Sequence, residues 1–320
     1  MLSSATIRAV PSSGPFFCLA SGACFGAMAV FGKLAYDAGA TVGTLLAVRF
    51  TLAAALFWAL VVAGGAAAEV RALGGRDVAA ALALGACGYA AQAGAYFAAL
   101  ERIDASLLSL LLYTFPAMVA GAAIVLGRER ADGRRLIALG LTSSGLLLVL
   151  AGAGAGALDP AGTALGIAAA VVYSAYILVG EGVATRVRPS VLSALVCTGA
   201  AATLTLGSAL LGVLHPGELT AAGWGWLACL AIVSTVAAIG LFFAGLARVG
   251  PTTASILATV EPLVTVLLAF LVFGEMLSAA QLLGGAFVLG GLLVLRARLP
   301  VPAAFRSPIP DRFRRGERPA

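Results

Sequence analysis

Charge is scarce in this chain: only 11% of its 320 residues are Asp, Glu, Lys or Arg, while 61% are hydrophobic. That balance excludes a soluble globular protein and places the chain within a membrane. Histidine is nearly absent. His215, the single one, precedes Pro216 in a predicted loop, so neither an HExxH zinc helix nor a histidine relay can be built. No GxxxxGKS or GxxxxGKT loop occurs, which excludes direct drive by a nucleotide triphosphate. The five cysteines (Cys18, Cys24, Cys87, Cys197, Cys229) sit singly inside apolar runs without CxxC spacing, against a metal centre or a disulfide framework. No pair of acids falls within one apolar run, as an intramembrane protease would need. The expectation is therefore a protein that is not an enzyme and uses no cofactor and no metal.

Long apolar runs are what the chain does have. Ten segments are long enough to cross a bilayer: approximately residues 16–36, 42–64, 78–99, 104–126, 134–152, 160–180, 190–214, 223–246, 252–273 and 279–297. The fold class expected is an all-α integral membrane protein of ten transmembrane helices. Before the first span lies a short segment, 1–15, read as cytoplasmic rather than as a cleaved leader because so many spans follow. After the last comes a proline- and arginine-rich tail, 298–320, expected to be disordered.

The few basic residues are placed asymmetrically. With the amino terminus inside the cell, Arg8, Arg71, Arg76, Arg128, Arg130, Arg134, Arg135, Arg186, Arg188, Arg248 and the seven arginines from Arg296 to Arg318 all fall on one side, seventeen of the twenty. Lys33 and Arg102 fall near the other side, and Arg49 lies within span two. Both termini are thus expected in the cytoplasm, in an inner (plasma) membrane. The net charge of +6 is an orientation signal with possible use at anionic lipid, so the lipid bilayer and not nucleic acid is the expected partner.

A block of sequence also returns. YFAALERIDASLLSLLLYTFPAMVAGAAIVLGRE at 96–129 and FFAGLARVGPTTASILATVEPLVTVLLAFLVFGE at 242–275 align without a gap at a period of 146, matching Phe97 with Phe243, Arg102 with Arg248, Pro116 with Pro262 and Glu129 with Glu275. Two halves of five spans follow, 16–152 and 160–297, joined by AGAGAGALDP at 151–160. Because five is odd, the second half enters from the opposite side, and the repeat is inverted.

These segments, with ALERI at 99–103, GLARV at 245–249, VRFTLA at 48–53 and the run from Glu261 to Leu295, resemble the EamA-type branch of the drug/metabolite transporter superfamily over about residues 16–297. The resemblance implies a carrier for a small-molecule substrate, often an exporter of amino acids, other metabolites or toxic compounds, with a central cavity between the halves. It names no substrate. A passive channel or an uptake permease fits the sparse charges as well.

The candidate substrate or coupling residues are the polar groups that break the apolar pattern. Glu261 beside Pro262 reads as a proton or cation site or as a structural glutamate, and Pro262 would free a carbonyl four residues earlier. Arg49 has no basic partner in the repeat, where Cys197 stands 148 positions on. It could receive a substrate carboxylate, balance Glu261, or tether a helix end. Gln92 and Tyr96 share a helical face, as do Tyr173 and Tyr176, and Tyr113 with Thr114 precedes Pro116; such groups suit a cavity or interhelical glue. Trp224 and Trp226 read as an interfacial belt. Lys33 and Glu181 could gate opposite mouths or snorkel, and Glu129 and Glu275 are expected to steady the turn or helix start that follows each. Glycines at 140, 145, 284, 285, 290 and 291 make spans five and ten candidates for contact between halves or between copies of a homodimer.

Overall fold

The computed structural model describes residues 13–127, 132–152, 159–184, 186–258 and 260–296, the side chains at 181, 246, 247, 250–256, 295 and 296 excepted. The terminal segments, the linker, Glu129 and the Glu181 side chain lie outside the described residues. Helices make up the described structure and no strand occurs among these residues. Eight helical stretches are long and apolar enough to cross a membrane: Ser13–Asp37, Val42–Ala63, Gly75–Leu100, Ala105–Val125, Gly133–Gly152, Pro160–Gly180, Pro189–Leu210 and Ala221–Gly245. Two shorter apolar helices follow, Val260–Phe273 and Ala279–Val294. We call these spans one to ten. The ten-helix, all-α membrane architecture expected from the sequence is the one observed.

Packing follows the repeat. Span two packs on span seven, span four on span nine and span five on span ten, each pairing a helix with its own repeat mate. Span one lies along span eight, and span six along span three, so these two contacts exchange under the same relation. The helix ends repeat too: Gly65 and Gly212, then Gly127 and Gly274, stand 147 positions apart with φ of +68°, +67°, +67° and +68°. At this left-handed angle a side chain is strained, which is why glycine closes these helices. A π-helical turn interrupts span three at Leu84–Tyr89, and another interrupts span eight at Ile232–Ala237, 148 positions on.

Close approach between the halves depends on glycine. A Cβ on Gly145 would lie 2.6 Å from the Gly284 carbonyl oxygen, and one on Gly284 equally near that of Gly145. Gly285 and Gly291 are similarly crowded, by Leu110 and Thr142, whereas Gly140 and Gly290 face open space. Spans five and ten therefore join the two halves, and two of the six candidate glycines take no part.

Spans eight and nine differ from the even partition in the sequence. Helical geometry runs from Ala238 to Leu257, past the expected end of span eight, and a new helix begins at Val260. The chain still reverses here. The Ser21 hydroxyl donates to the Ala238 carbonyl, and Gly14 lies against Arg248 and Val249, yet Gly22 lies against Val260. The break next to Pro262 places Glu261 in the first turn of a helix.

Candidate functional site

A cavity of about 330 Å³ lies among spans one, two, three, four, six, eight and nine. Among the described residues, spans five, seven and ten contribute nothing to its lining. Seven residues singled out from the sequence, Arg49, Gln92, Tyr96, Tyr113, Tyr173, Tyr176 and Glu261, line it, whereas the Thr114 hydroxyl donates to the Leu111 carbonyl of its own span at 2.7 Å. A volume of this order matches the lower end of small-molecule pockets.

Glu261 reaches the cavity because span nine can approach span one. A Cβ on Gly26 would lie 2.7 Å from the Glu261 carbonyl oxygen, so only glycine fits. The Thr265 hydroxyl then donates to the Gly26 carbonyl at 2.9 Å, where span one breaks between the helices Ser13–Gly26 and Met28–Asp37. The Glu261 carboxylate sits near the positive end of the helix Val260–Phe273. Among the described residues its side-chain partner is the Tyr113 hydroxyl, which donates to Oε2 at 2.8 Å. Tyr113 stands at a break of its own, between the helices Ala105–Leu112 and Phe115–Val125. The carbonyl that Pro262 deprives of its helical donor is that of Ala258, and the Tyr113 hydroxyl lies 3.2 Å from it.

Arg49 occupies the other pole. Only 2% of it is exposed. Its guanidinium carbon stands 5.0 Å from the Phe50 ring centroid and 5.2 Å from that of Phe97, close enough for both ring faces to attract the charge. Nε donates to the Thr235 hydroxyl at 3.0 Å, and Nη2 to the Met28 sulfur at 3.2 Å. Among the described residues no carboxylate pairs with it. Arg49 therefore does not balance Glu261 by direct contact, nor does it tether a helix end to a backbone carbonyl.

Between the poles runs an aromatic wall. Phe50 meets Tyr89 edge-on at 5.0 Å, Tyr89 meets Tyr176, Tyr176 stacks on Tyr173, Tyr173 meets Phe115 at 4.6 Å, and Phe115 meets Tyr113. Ring contacts thus connect the clamp on Arg49 with the partner of Glu261. The Gln92 amide and the hydroxyls of Tyr96, Tyr173 and Tyr176 make no hydrogen bond to protein among the described residues. Groups of this kind are costly to bury dry, and a polar solute or water satisfies them.

Other candidates are placed elsewhere. Lys33 is not an isolated gate: its Nζ lies 2.6 Å from Glu275 Oε1 and 3.7 Å from Asp104. Glu275 also accepts from the Ala105 and Ser106 backbone N–H groups and the Ser106 hydroxyl at 2.9–3.1 Å. It does serve a helix start, but that of span four rather than of the helix that follows it. Burial alone would raise its carboxyl, yet the Lys33 and backbone donors outweigh this and hold it below the usual carboxylate range. Trp226 stacks on Phe31 at 6.0 Å, while Trp224 is exposed. Sequence reasoning missed Thr235, Tyr89 and the Phe50–Phe97 clamp. Tyr89 was within reach, one turn before Gln92. Thr235 was not, because it looks like any small polar residue in a span.

Comparison with known proteins agrees with this architecture. The model of the EamA-like transporter family matches residues 12–151 and again 160–297. The chain is 25% identical over 285 residues, 84% of its length and 88% of the relative's, to the uncharacterized transporter YcbK of Bacillus subtilis (strain 168). It is 30% identical over 186 residues, 58% of its length and 65% of the relative's, to an uncharacterized transporter of Archaeoglobus fulgidus. One solved crystal structure superposes with a TM-score of 0.64 at 21% identity, covering 89% of this chain and 96% of that one, and shows a shared fold.

Proposed function

The chain belongs to the EamA-like transporter family, and from that premise we propose that this membrane transporter is a secondary carrier, an exporter of small organic metabolites bearing an anionic group, such as amino acids. One observation carries this reading: a buried guanidinium without an acidic partner among the described residues faces a cavity whose far pole is a carboxylate. A carboxylate solute would take the free guanidinium donors, and its ammonium, where present, would lie towards Glu261. The aromatic wall supports an apolar portion between them.

In this reading the two five-helix halves, 16–152 and 160–297, rock about the cavity so that it opens to each side in turn. Both termini lie in the cytoplasm. Glu261 is the proposed coupling group, protonated in one state and ionised in the other.

Uptake into inverted membrane vesicles, with and without a pH gradient, against a panel of amino acids and cationic drugs, tests this. Accumulation of amino acids above the outside concentration supports a carrier. Movement of cationic drugs alone would overturn the anion-anchor reading, and equilibration without accumulation under every gradient would favour a passive channel.

A further inference from the structure

Arg49 is aimed by a hydroxyl that the scaffold does not need. The Thr235 side chain is fully buried in the π-helical turn Ile232–Ala237. Its hydroxyl donates to the Leu230 carbonyl at 2.9 Å and accepts the Arg49 Nε–H at 3.0 Å. Spending its proton on Leu230 fixes the lone pair towards span two, so the hydroxyl can only accept from Arg49. With Nε held there and the plane flanked by Phe50 and Phe97, the guanidinium has little freedom to rotate.

A structural role for this hydroxyl in making the turn is answered by the repeat. The equivalent π turn, Leu84–Tyr89, reads LGACGY and contains no serine or threonine. The turn forms without such a side chain. The relation that carries Leu84–Tyr89 onto Ile232–Ala237 carries Cys87 onto Thr235 and Arg49 onto Cys197, each 148 positions apart. An Arg–Thr pair therefore spans the two halves at one pair of positions, where the repeat-related pair of positions holds two cysteines, so the pair is an addition to the repeated scaffold.

We infer that Thr235 is a positioning residue: by fixing Arg49 Nε, while the Met28 sulfur takes one Nη2–H, it presents the other guanidinium N–H groups to the cavity and sets the preference for carboxylate-bearing over neutral solutes. This rests on the reading of Arg49 as the anion anchor. Removing the hydroxyl leaves the charge in the cavity and loses its aim, so affinity for the anionic solute should suffer and turnover should not.

The test uses the full chain in lipid nanodiscs and has two arms. In the first, nitrogen-15 arginine labelling follows the Arg49 Nε–H, identified by its loss in Arg49→Lys. Its exchange with solvent should be slow in the wild type and in Thr235→Ser, and about tenfold faster or more in Thr235→Val, as expected for loss of a hydrogen bond to a charged group. In the second, counterflow is measured with L-phenylalanine, chosen for the aromatic wall, and with L-phenylalaninamide, which lacks the anion. Thr235→Val should raise KM for the acid about tenfold with kcat within about twofold, Thr235→Ser should restore KM, and the amide should respond little to either change. Unchanged Nε–H exchange in Thr235→Val overturns the inference, as does altered exchange with unchanged KM for the acid. A wild type that does not handle L-phenylalanine defeats the aromatic-acid reading of the cavity, and the exchange arm then still decides whether Thr235 holds Arg49.

Discussion

Glu275→Ala should loosen one whole end of the molecule. The Glu275 side chain is 7% exposed and accepts from Lys33, from the backbone of Ala105 and Ser106, and from the Ser106 hydroxyl. It therefore ties spans one and four to the end of span nine. Losing a helix N-cap costs about 1 kcal/mol, and losing the charge-assisted bond to Lys33, which is partly exposed, costs about 2 kcal/mol. The expected destabilisation is roughly 3 kcal/mol, read as a lower midpoint of thermal unfolding in detergent and compared with Lys33→Met, which removes the ion pair and keeps the cap. Lys33→Met should cost clearly less. The pH dependence follows from the sign of the shift: the folded carboxyl is held below its usual range, so its contribution is complete above that range and is lost as pH falls through the lowered value. The gap between wild type and Glu275→Gln should thus close as pH falls below the usual carboxylate range. A Glu275→Ala midpoint equal to wild type, or a Lys33→Met loss as large as that of Glu275→Ala, would refute the capping argument.

Glu261→Gln keeps the Tyr113 contact while removing the titrating group, so the pH-gradient dependence of transport in vesicles should vanish while substrate exchange persists; a full gradient response in this variant would rule Glu261 out as the coupling site. Gly284→Val would push side-chain atoms into the Gly145 carbonyl, where even a Cβ would lie at 2.6 Å, and should cost about 2 kcal/mol or more, seen as aggregation on size-exclusion chromatography. Gly290→Val, at a position facing open space, should elute as wild type does. Reporter fusions after His215 and after Arg306 should lie on opposite sides of the membrane, outside and inside respectively, and finding both on one side would defeat the inverted arrangement.

Much of this site was legible because ionisable and amphipathic groups in apolar runs are expensive and so stand out. Arg49, Glu261 and the tyrosine pairs were found in that way, from cost alone, and one cavity gathers them. What pattern could not supply was pairing between distant spans. Glu275 was assigned to a helix start, but that its helix would be span four is a matter of packing between halves. Lys33 reads in sequence as a gate or a snorkelling helix end, whereas its partner Glu275 is 242 positions away. The π turns leave no signature in composition: LGACGY and IVSTVA share no residue at matching positions, so the backbone feature that aims Thr235 at Arg49 was invisible. The continuation of helix past span eight to Leu257 was hidden for a related reason, since Gly250 and Pro251 look like a loop in sequence.

If Arg49 anchors the anion in a transport cavity, Arg49→Gln removes that anchor. The measurement is counterflow in reconstituted vesicles at matched membrane abundance, with a carboxylate-bearing amino acid and its amide. Arg49→Gln should abolish movement of the acid, or slow it by about a hundredfold, as removal of a charge-assisted bond in a buried site would do. Near-normal transport of the acid by well-folded Arg49→Gln would contradict it.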